Sequence, residues 1–134
     1  MSILEVDRRT LRLFAPGDVL AILAFVFVGE LQHGMLAFDA SSPLRYVAVV
    51  APFLVAWAIL APVLGAYSDS ARTARGLVAW TALAWIGADL LAQGLLATGA
   101  FPETADPVFF VVAGLFGGLF LLVARGLSLL ASRV

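Results

Sequence analysis

The stretch PVFFVVAGLFGGLFLLVARGLSLLA, residues Pro107–Ala131, decides the fold. It carries one charged side chain, Arg125, and is longer than the ~20 residues that a helix needs to cross ~30 Å of hydrocarbon. The stretch shows no alternation of apolar and polar residues, and leucine and alanine are frequent in it, so a strand of a membrane barrel is disfavoured. It therefore predicts a transmembrane helix.

Three further stretches have the same character. The four predicted spans run over about Pro16–Phe38, Tyr46–Tyr67, Ala74–Ala97 and Pro107–Ala131. The connections between them are short and contain glycine, proline, serine and aspartate, so successive helices are expected to run antiparallel. The chain is thus predicted to be all-α, a single integral membrane domain over residues 1–134. Its fold is an antiparallel bundle of four transmembrane helices, preceded by a cytoplasmic basic arm over residues 1–15.

The composition of the chain supports a membrane protein and excludes several functions. Of the 134 residues, 63% are hydrophobic and 13% charged, against about 45–50% and 25% in soluble domains. The lipid bilayer is therefore the first expected partner, and the near-zero net charge leaves no basic surface for nucleic acid. The absence of cysteine and lysine excludes thiol nucleophiles, zinc-thiolate sites and Schiff bases. We expect no cofactor.

The arginines predict an orientation. Six lie on one side of the predicted bundle and one, Arg45, on the other; the six are Arg8, Arg9, Arg12, Arg72, Arg75 and Arg133. Because basic residues stay in the cytoplasm, both termini are expected to be cytoplasmic, in a multi-pass protein of the plasma membrane. The sequence DRRTLRL, Asp7–Leu13, resembles a twin-arginine export signal. However, the following apolar run has the length of a span and precedes three more spans, which favours stable insertion.

The end of the first span, GELQHG over Gly29–Gly34, concentrates polar groups in an apolar segment. At 100° per residue, Gly29 and His33 lie on one stripe with Asp18, and the polar ends of this stripe indicate that it faces protein. Gly29 on that stripe would allow another helix to approach closely. Glu30 lies three residues before His33, close enough for their side chains to touch.

A second polar pair, Asp89 and Gln93, lies on one face of the third span. Since the first and third spans start on the same side, Glu30 and Asp89 are expected at a similar depth, ~21–23 Å across the membrane. With His33 and Gln93 they would form one polar cluster. Two roles stay open for it: a network that fastens helices together, or a pathway for protons or cations.

Arg125, near the cytoplasmic end of the last span, is the remaining intramembrane charge. It either extends outward to the interface or pairs with Asp18, which enters at the same end. Asp18 alternatively serves as a first-turn acid after Pro16, stabilised by the helix dipole, and these roles are compatible. Gly114 and Gly118 form a G-x-x-x-G motif and predict a close-packing face that continues to Arg125.

Four residues of the middle spans are expected to shape helix packing. Pro52 and Pro62 each remove a backbone donor and predict kinks in the second span. Trp57 needs a partner for its indole N–H and should point inward, and Gly87 is a candidate for close packing on the third span. Tyr67, near a span end, has the position of an interfacial belt residue.

Several short motifs are spread over nearly the whole chain: Gly17-Asp18, Gly29 with His33-Gly34, Pro52-Phe53 followed by Trp57, Trp80 with Gly87, and an aromatic-started last span that ends in Arg125. Together they resemble domain-of-unknown-function family 3054, small four-span prokaryotic membrane proteins. Where that family often has a basic residue, an arginine and a tryptophan, this chain has Glu30, Leu91 and Ala124. The resemblance implies the fold and no particular activity.

Three functions can be compared. The first is a channel or a proton- or cation-coupled carrier that uses Glu30, His33 and Asp89. Because a lone four-helix bundle fills its own centre, such a pathway would form between protomers of a homo-oligomer. The second is an accessory or assembly subunit bound to a partner membrane protein. The third is a di-iron enzyme, for which Glu30 and His33 have the right spacing, but the chain has one histidine. We therefore expect neither a metal nor an enzyme activity.

Overall fold

The computed structural model describes residues 5–32, 42–101 and 105–133. These residues form four α-helices: α1 (Arg8–Gln32), α2 (Ser42–Val63), α3 (Ala74–Ala97) and α4 (Pro107–Ala131). A short 3₁₀ helix, Asp69–Arg72, lies between α2 and α3. All regular structure in the described ranges is helical, and the predicted all-α fold is confirmed.

Each of the four helices is long and apolar enough to cross a membrane. In the bundle, α1 packs against α2 and α4, and α3 packs against the same two helices. Both described chain ends and the α2–α3 connection lie at one end, here called the termini end. The described ends of α1 and α3 and the starts of α2 and α4 lie at the opposite end, here called the far end.

Helix α1 begins at Arg8, eight residues before the predicted start at Pro16. Asp7 caps it, since its carboxylate accepts hydrogen bonds from the backbone N–H of Thr10 at 3.0 Å and from the hydroxyl of Thr10 at 2.8 Å. Pro16 lies inside the helix, on its exposed side. The expected basic arm over residues 1–15 is therefore partly helix.

The α2–α3 connection folds back into the bundle. Gly65 has a φ of 88°, and the N–H of Ala66 donates to the carbonyl of Ala61 at 3.0 Å, the pattern of a glycine that ends a helix. Helix α2 thus ends at Val63, before the predicted end at Tyr67. The turn leaves Tyr67 only 4% exposed, so its expected place in an interfacial belt is wrong.

Aromatic rings fill the centre of the bundle. The ring of Phe25 meets those of Phe53 and Trp85 edge-on, with centroids 5.9 and 6.0 Å apart, and Phe120 lies 6.4 Å away. Phe53 stacks on Trp85 with a centroid separation of 5.9 Å. We call these four residues the aromatic plug. Since all four helices contribute to it, the middle of the protomer is packed with side chains.

Helix α4 approaches α3 through a glycine next to the predicted motif. A methyl group on Gly117 would lie 2.7 Å from Cε2 of Trp85, whose indole N–H donates to the carbonyl of Ala113 at 2.9 Å. Gly114 and Gly118 flank this contact, at 3.3 Å from Asp89 Oδ2 and 3.4 Å from Trp85 Cδ1 by the same measure. The closest approach thus lies one residue, or about 100° of helix rotation, from the predicted face.

The packing roles predicted for Gly87, Gly29 and the two prolines of α2 can be compared with the structure one by one. A methyl group on Gly87 would lie 2.8 Å from Cδ1 of Leu64, so this glycine accommodates a close contact. Gly29 has no described atom within 4 Å of the same position, so its expected close-packing role stays a prediction. Pro52 is buried, and α2 is helical through both Pro52 and Pro62.

Candidate functional site

Arg125 and Asp18 form a buried ion pair near the termini end. Nε and Nη2 of Arg125 donate to Oδ1 and Oδ2 of Asp18, both at 2.8 Å. Nη1 donates to the carbonyl of Ala66 at 2.8 Å and to the hydroxyl of Thr81 at 3.0 Å. Both charged residues have 0% exposure. The guanidinium therefore joins α1, α3, α4 and the α2–α3 connection in one bidentate, charge-assisted contact.

Aromatic side chains complete the surroundings of this pair. The hydroxyl of Tyr67 donates to Oδ2 of Asp18 at 2.5 Å and accepts from the indole N–H of Trp57 at 3.0 Å. The guanidinium carbon of Arg125 lies 4.5 Å from the ring centroid of Phe14 and 5.2 Å from that of Tyr67, within cation–π range. We call Asp18, Trp57, Tyr67, Thr81 and Arg125 the buried ion-pair network.

This geometry decides between the roles that the sequence left open for Asp18 and Arg125. Asp18 lies ten residues after the start of α1 at Arg8, so its interpretation as a first-turn acid is wrong. Arg125 is fully buried and does not extend to the interface. The described atoms thus bring the two residues together, and Trp57 points inward to a partner, Tyr67.

The protonation of Tyr67 fits its role as a donor. Burial, followed by the negative charge of Asp18, raises the pKa of the Tyr67 hydroxyl above its ordinary value of 10.0. The hydroxyl therefore keeps its proton and its hydrogen bond to Asp18 at all physiological pH values. The network is closed: each of its polar side chains has a hydrogen-bond partner inside the protein.

A second contact at the termini end ties the start of α1 to the 3₁₀ helix. Nε of Arg72 donates to the hydroxyl of Thr10 at 3.0 Å, and Nη2 lies 3.5 Å from the carboxylate of Asp7. The N–H of Asp7 donates to the carbonyl of Tyr67 at 2.8 Å. Hydrogen bonds from Thr10, from its hydroxyl first, lower the pKa of Asp7 below its ordinary value of 3.8. These partly exposed contacts thus fasten the start of α1 to the 3₁₀ helix, next to the buried ion-pair network.

Asp89 occupies a different environment, between α3 and α4 toward the far end. It has 0% exposure, and its Oδ1 accepts a hydrogen bond of 3.4 Å from Nε2 of Gln93. Oε1 of Gln93 accepts from the backbone N–H of Asp106, also at 3.4 Å. Oδ2 of Asp89 is buried, faces Gly114, and has no hydrogen-bond partner among the described residues. We call Asp89, Gln93, Asp106 and Gly114 the α3–α4 site.

A groove opens beside this site on the outer surface of the bundle. It has a volume of about 270 Å³ and is lined by Leu90, Gln93, Ala105, Asp106, Pro107 and Phe110. Asp106 also caps α4, because its Oδ1 accepts from the N–H of Val108 at 2.7 Å. Gln93 thus both lines the groove and donates a hydrogen bond to Asp89.

Glu30 and Asp89 have their described partners on different helices. Its carboxylate lies 3.6 Å from Nε of Arg45, at the start of α2. The rings of Phe25 and Trp85 are in contact; Glu30 lies five residues beyond Phe25, and Asp89 four beyond Trp85. These offsets correspond to ~7.5 and ~6 Å along the helices, so the two carboxylates have a similar depth.

His33 lies outside the described residues, so the expected contact of His33 with Glu30 stays a prediction. The described contacts of Glu30 lead to α2, whereas those of Asp89 lead along α3 to the start of α4. The four-residue cluster of Glu30, His33, Asp89 and Gln93 therefore also stays a prediction. Within the described ranges, no group of three histidine, cysteine or acidic side chains is close enough to hold a metal ion.

Sequence reasoning missed three contributors to these sites: Tyr67, Thr81 and Asp106. Thr81 was detectable, because Thr81, Trp85 and Asp89 recur at four-residue spacing and mark the buried face of α3. Asp106 precedes Pro107 in the pattern of a helix N-cap. Tyr67 was not detectable, since its direction depends on the turn at Gly65.

The helices and their two polar sites define a small multi-pass membrane protein with four membrane-crossing helices. The family model described as "Protein of unknown function (DUF3054)" matches residues 15–128. The chain belongs to this family, as its resemblance implied. No curated protein and no solved structure matches the chain.

Proposed function

We propose that the protein is a carrier or channel for protons or other cations, and that Asp89 is its ion-binding carboxylate. The observation that carries this proposal is the buried Oδ2 of Asp89, which has no hydrogen-bond partner in the described part of the chain. An ionisable group in a membrane helix costs about 3 kcal/mol and more, and such groups commonly mark ion pathways. A proton or a cation at Oδ2 would neutralise Asp89.

The contrast with Asp18 supports this assignment. Asp18 accepts two hydrogen bonds from Arg125 and one from Tyr67, and its charge is balanced. Asp89 accepts one long hydrogen bond from a neutral amide. In this proposal the buried ion-pair network fastens the helices, and the α3–α4 site binds the ion.

The two hydrogen bonds of Gln93 determine which of its groups faces Asp89. Its carbonyl faces the N–H of Asp106, so its NH₂ group must face the carboxylate of Asp89. Both hydrogen bonds are long, at 3.4 Å, and are correspondingly weak. A small rotation of this side chain would connect Asp89 to the groove.

The pathway is proposed to form between protomers, because the aromatic plug fills the centre of one protomer. Helix α4 offers an outward apolar face for association with a second copy; its exposed members are Val111, Leu115, Phe116, Leu119, Val123 and Leu127. In such an oligomer Glu30 and His33 would extend the pathway from Asp89. A homo-oligomer is therefore part of the proposal.

The distribution of charge supports the proposed orientation. Among the described residues, the termini end has seven arginines, Arg125 included, and four acidic residues, whereas the far end has one arginine and three acidic residues. Basic residues near membrane helices stay in the cytoplasm. We therefore place both termini in the cytoplasm and the far end on the opposite side of the plasma membrane.

Proteoliposomes loaded with a pH-sensitive dye test the function. Dissipation of an imposed pH or cation gradient is expected for the wild type, and Asp89→Asn should abolish it, with losses also for Glu30→Gln and His33→Ala. Asp69→Asn is the matched control, because Asp69 is an exposed acid at the termini end. Circular dichroism must show equal helicity for all variants. Flux that persists in Asp89→Asn would rule out the proposed role of this residue.

The second candidate, an accessory or assembly subunit, is favoured by one observation: the outward apolar face of α4 can pack against another membrane protein as well as against lipid. Purification from native membranes in mild detergent distinguishes the two. A stoichiometric second chain that contacts α4 in site-specific crosslinks would support the accessory role. A partner-free homo-oligomer with ion flux would exclude it.

A further inference from the structure

The exposed side of α1 begins with three arginines and continues with apolar residues. Arg8 and Arg12 are exposed one helix turn apart, and Arg9 is exposed beside them. At 100° per residue, Pro16 and Val19 lie within about 80° of Arg8 and Arg12, and both are exposed. We call these five residues the α1 outer face. We propose that this face binds one anionic phospholipid, with its phosphate against the arginines and its acyl chains along the apolar residues.

The buried residues of α1 show that this face points away from the bundle. Thr10, Phe14 and Asp18 have 0% exposure and contact Arg72 or Arg125. Counted from the first arginine of α1, these three residues lie at about 200–280° around the helix, whereas the three arginines lie at about 0–100°. Since the buried side packs against α2 and α4, the α1 outer face is directed at the surrounding lipid.

The length of α1 places the arginines at the level of the lipid headgroups. The helix has 25 residues, and at 1.5 Å per residue its ~37 Å exceeds the ~30 Å of hydrocarbon. The three arginines belong to its first two turns, where the helix leaves the hydrocarbon. Val19, which is 43% exposed, lies ~10 Å further along the helix than Arg12. One lipid therefore meets basic groups at its phosphate and apolar groups along its chains.

The positive charge of this face is available to a ligand. Within residues 5–32, 42–101 and 105–133, no carboxylate forms an ion pair with any of its three arginines. The adjacent acid, Asp7, already accepts two hydrogen bonds from Thr10 and lies 3.5 Å from Nη2 of Arg72. Three basic side chains thus lie next to lipid without a described counter-ion, and an anionic headgroup would supply it.

The arrangement of the arginines favours a phosphate in an anionic lipid. Arg8 and Arg12 are four residues apart, so their Cβ atoms are ~6 Å from each other, and both guanidinium groups can donate to one phosphate. A zwitterionic headgroup carries a cationic amine beside its phosphate, and the arginines would repel this amine. Phosphatidylglycerol has no such amine. The α1 outer face should therefore select anionic over zwitterionic phospholipids, whether or not the protein transports ions.

Titration of the purified full-length protein in detergent with phosphatidylglycerol or phosphatidylcholine tests the proposal, with native mass spectrometry giving the Kd of the first bound lipid. Phosphatidylglycerol is expected to bind about fivefold more tightly or better. Arg8→Gln and Arg12→Gln should each raise its Kd by about fivefold, equivalent to the ~1 kcal/mol of one arginine near an anionic surface. Neither variant should change the Kd of phosphatidylcholine. Equal helicity in circular dichroism is expected, because both side chains are exposed.

Arg75→Gln is the matched control. Arg75 is an exposed arginine at the start of α3, at the same end of the bundle, and its loss changes the net charge equally but should leave the Kd of phosphatidylglycerol unchanged. Glycerol 3-phosphate, a headgroup without acyl chains, should not displace the lipid. Equal Kd values for the two lipids, equal losses in Arg12→Gln and Arg75→Gln, or displacement of the lipid by equimolar glycerol 3-phosphate would each overturn the proposal.

Discussion

Replacing Arg125 by methionine leaves the carboxylate of Asp18 buried without its counter-ion. The substitution removes four hydrogen bonds, two to Asp18, one to Thr81 and one to the carbonyl of Ala66. Among the described residues, the hydroxyl of Tyr67 is then the one donor left to Asp18. Because methionine is apolar and fills much of the same volume, the loss measures chiefly the uncompensated charge.

The magnitude follows from the burial of both partners at 0% exposure. Removal of one partner from a buried ion pair costs about 3–5 kcal/mol. Replacement of both partners, Asp18→Leu with Arg125→Met, removes the uncompensated charge and leaves unpaired groups on Tyr67 and Ala66, for which a cost of about 1–3 kcal/mol is expected. The double variant should therefore be more stable than Arg125→Met alone.

Reversible unfolding in mixed micelles, with an increasing fraction of dodecyl sulfate, measures these free energies through helical circular dichroism. Arg72→Met is the matched control, because its side chain is 34% exposed and exposed ion pairs contribute little. A cost for Arg125→Met below about 1 kcal/mol, the size of an average substitution, would refute the reasoning. A double variant no more stable than Arg125→Met would refute it as well.

Two further predictions concern packing and pH. Gly117→Ala should destabilise the protein by about 1–3 kcal/mol, because its methyl group would overlap the indole of Trp85. The control, Gly126→Ala, has open space around it and should be neutral or stabilising. Equal losses of stability for the two variants in the same micelle assay would contradict this prediction. Stability should fall as the pH rises above 10.0, since the unfolded chain releases the Tyr67 proton there whereas the folded protein, in which the pKa is raised, retains it. The chain has no lysine or cysteine and one other tyrosine, Tyr46, to titrate in this range, so Tyr67→Phe should reduce the decline between pH 10 and 12, and an unchanged slope would count against the burial argument.

The sequence was sufficient for much of the fold because lipid imposes strong constraints on length and hydropathy. Helices α3 and α4 have the predicted bounds, Ala74–Ala97 and Pro107–Ala131, since the capping residues Thr73 and Asp106 stand directly before them. The start of α1 was missed because Pro16 has the appearance of a first helical residue. The local hydrogen bonds at Asp7 outweighed that preference.

The sites were harder to predict, since they depend on geometry finer than one helix turn. Asp18 and Arg125 could be matched by their position at the same end of antiparallel helices. Tyr67 could not, because a single positive φ at Gly65 redirects it into the bundle. The close approach at Gly117 lies only one residue from Gly118, and periodicity alone does not resolve such a shift in a glycine-rich helix.

In the proposed function the two buried aspartates have opposite roles. Arg125 holds Asp18 as a paired carboxylate, whereas Asp89 is available to a proton or a cation. Labelling with dicyclohexylcarbodiimide, an apolar reagent that adds to protonated carboxyl groups, followed by peptide mass spectrometry, compares them directly in lipid vesicles. We expect modification of Asp89, with Asp18 unmodified. Modification of Asp18 as fast as that of Asp89, or an unmodified Asp89, would contradict it.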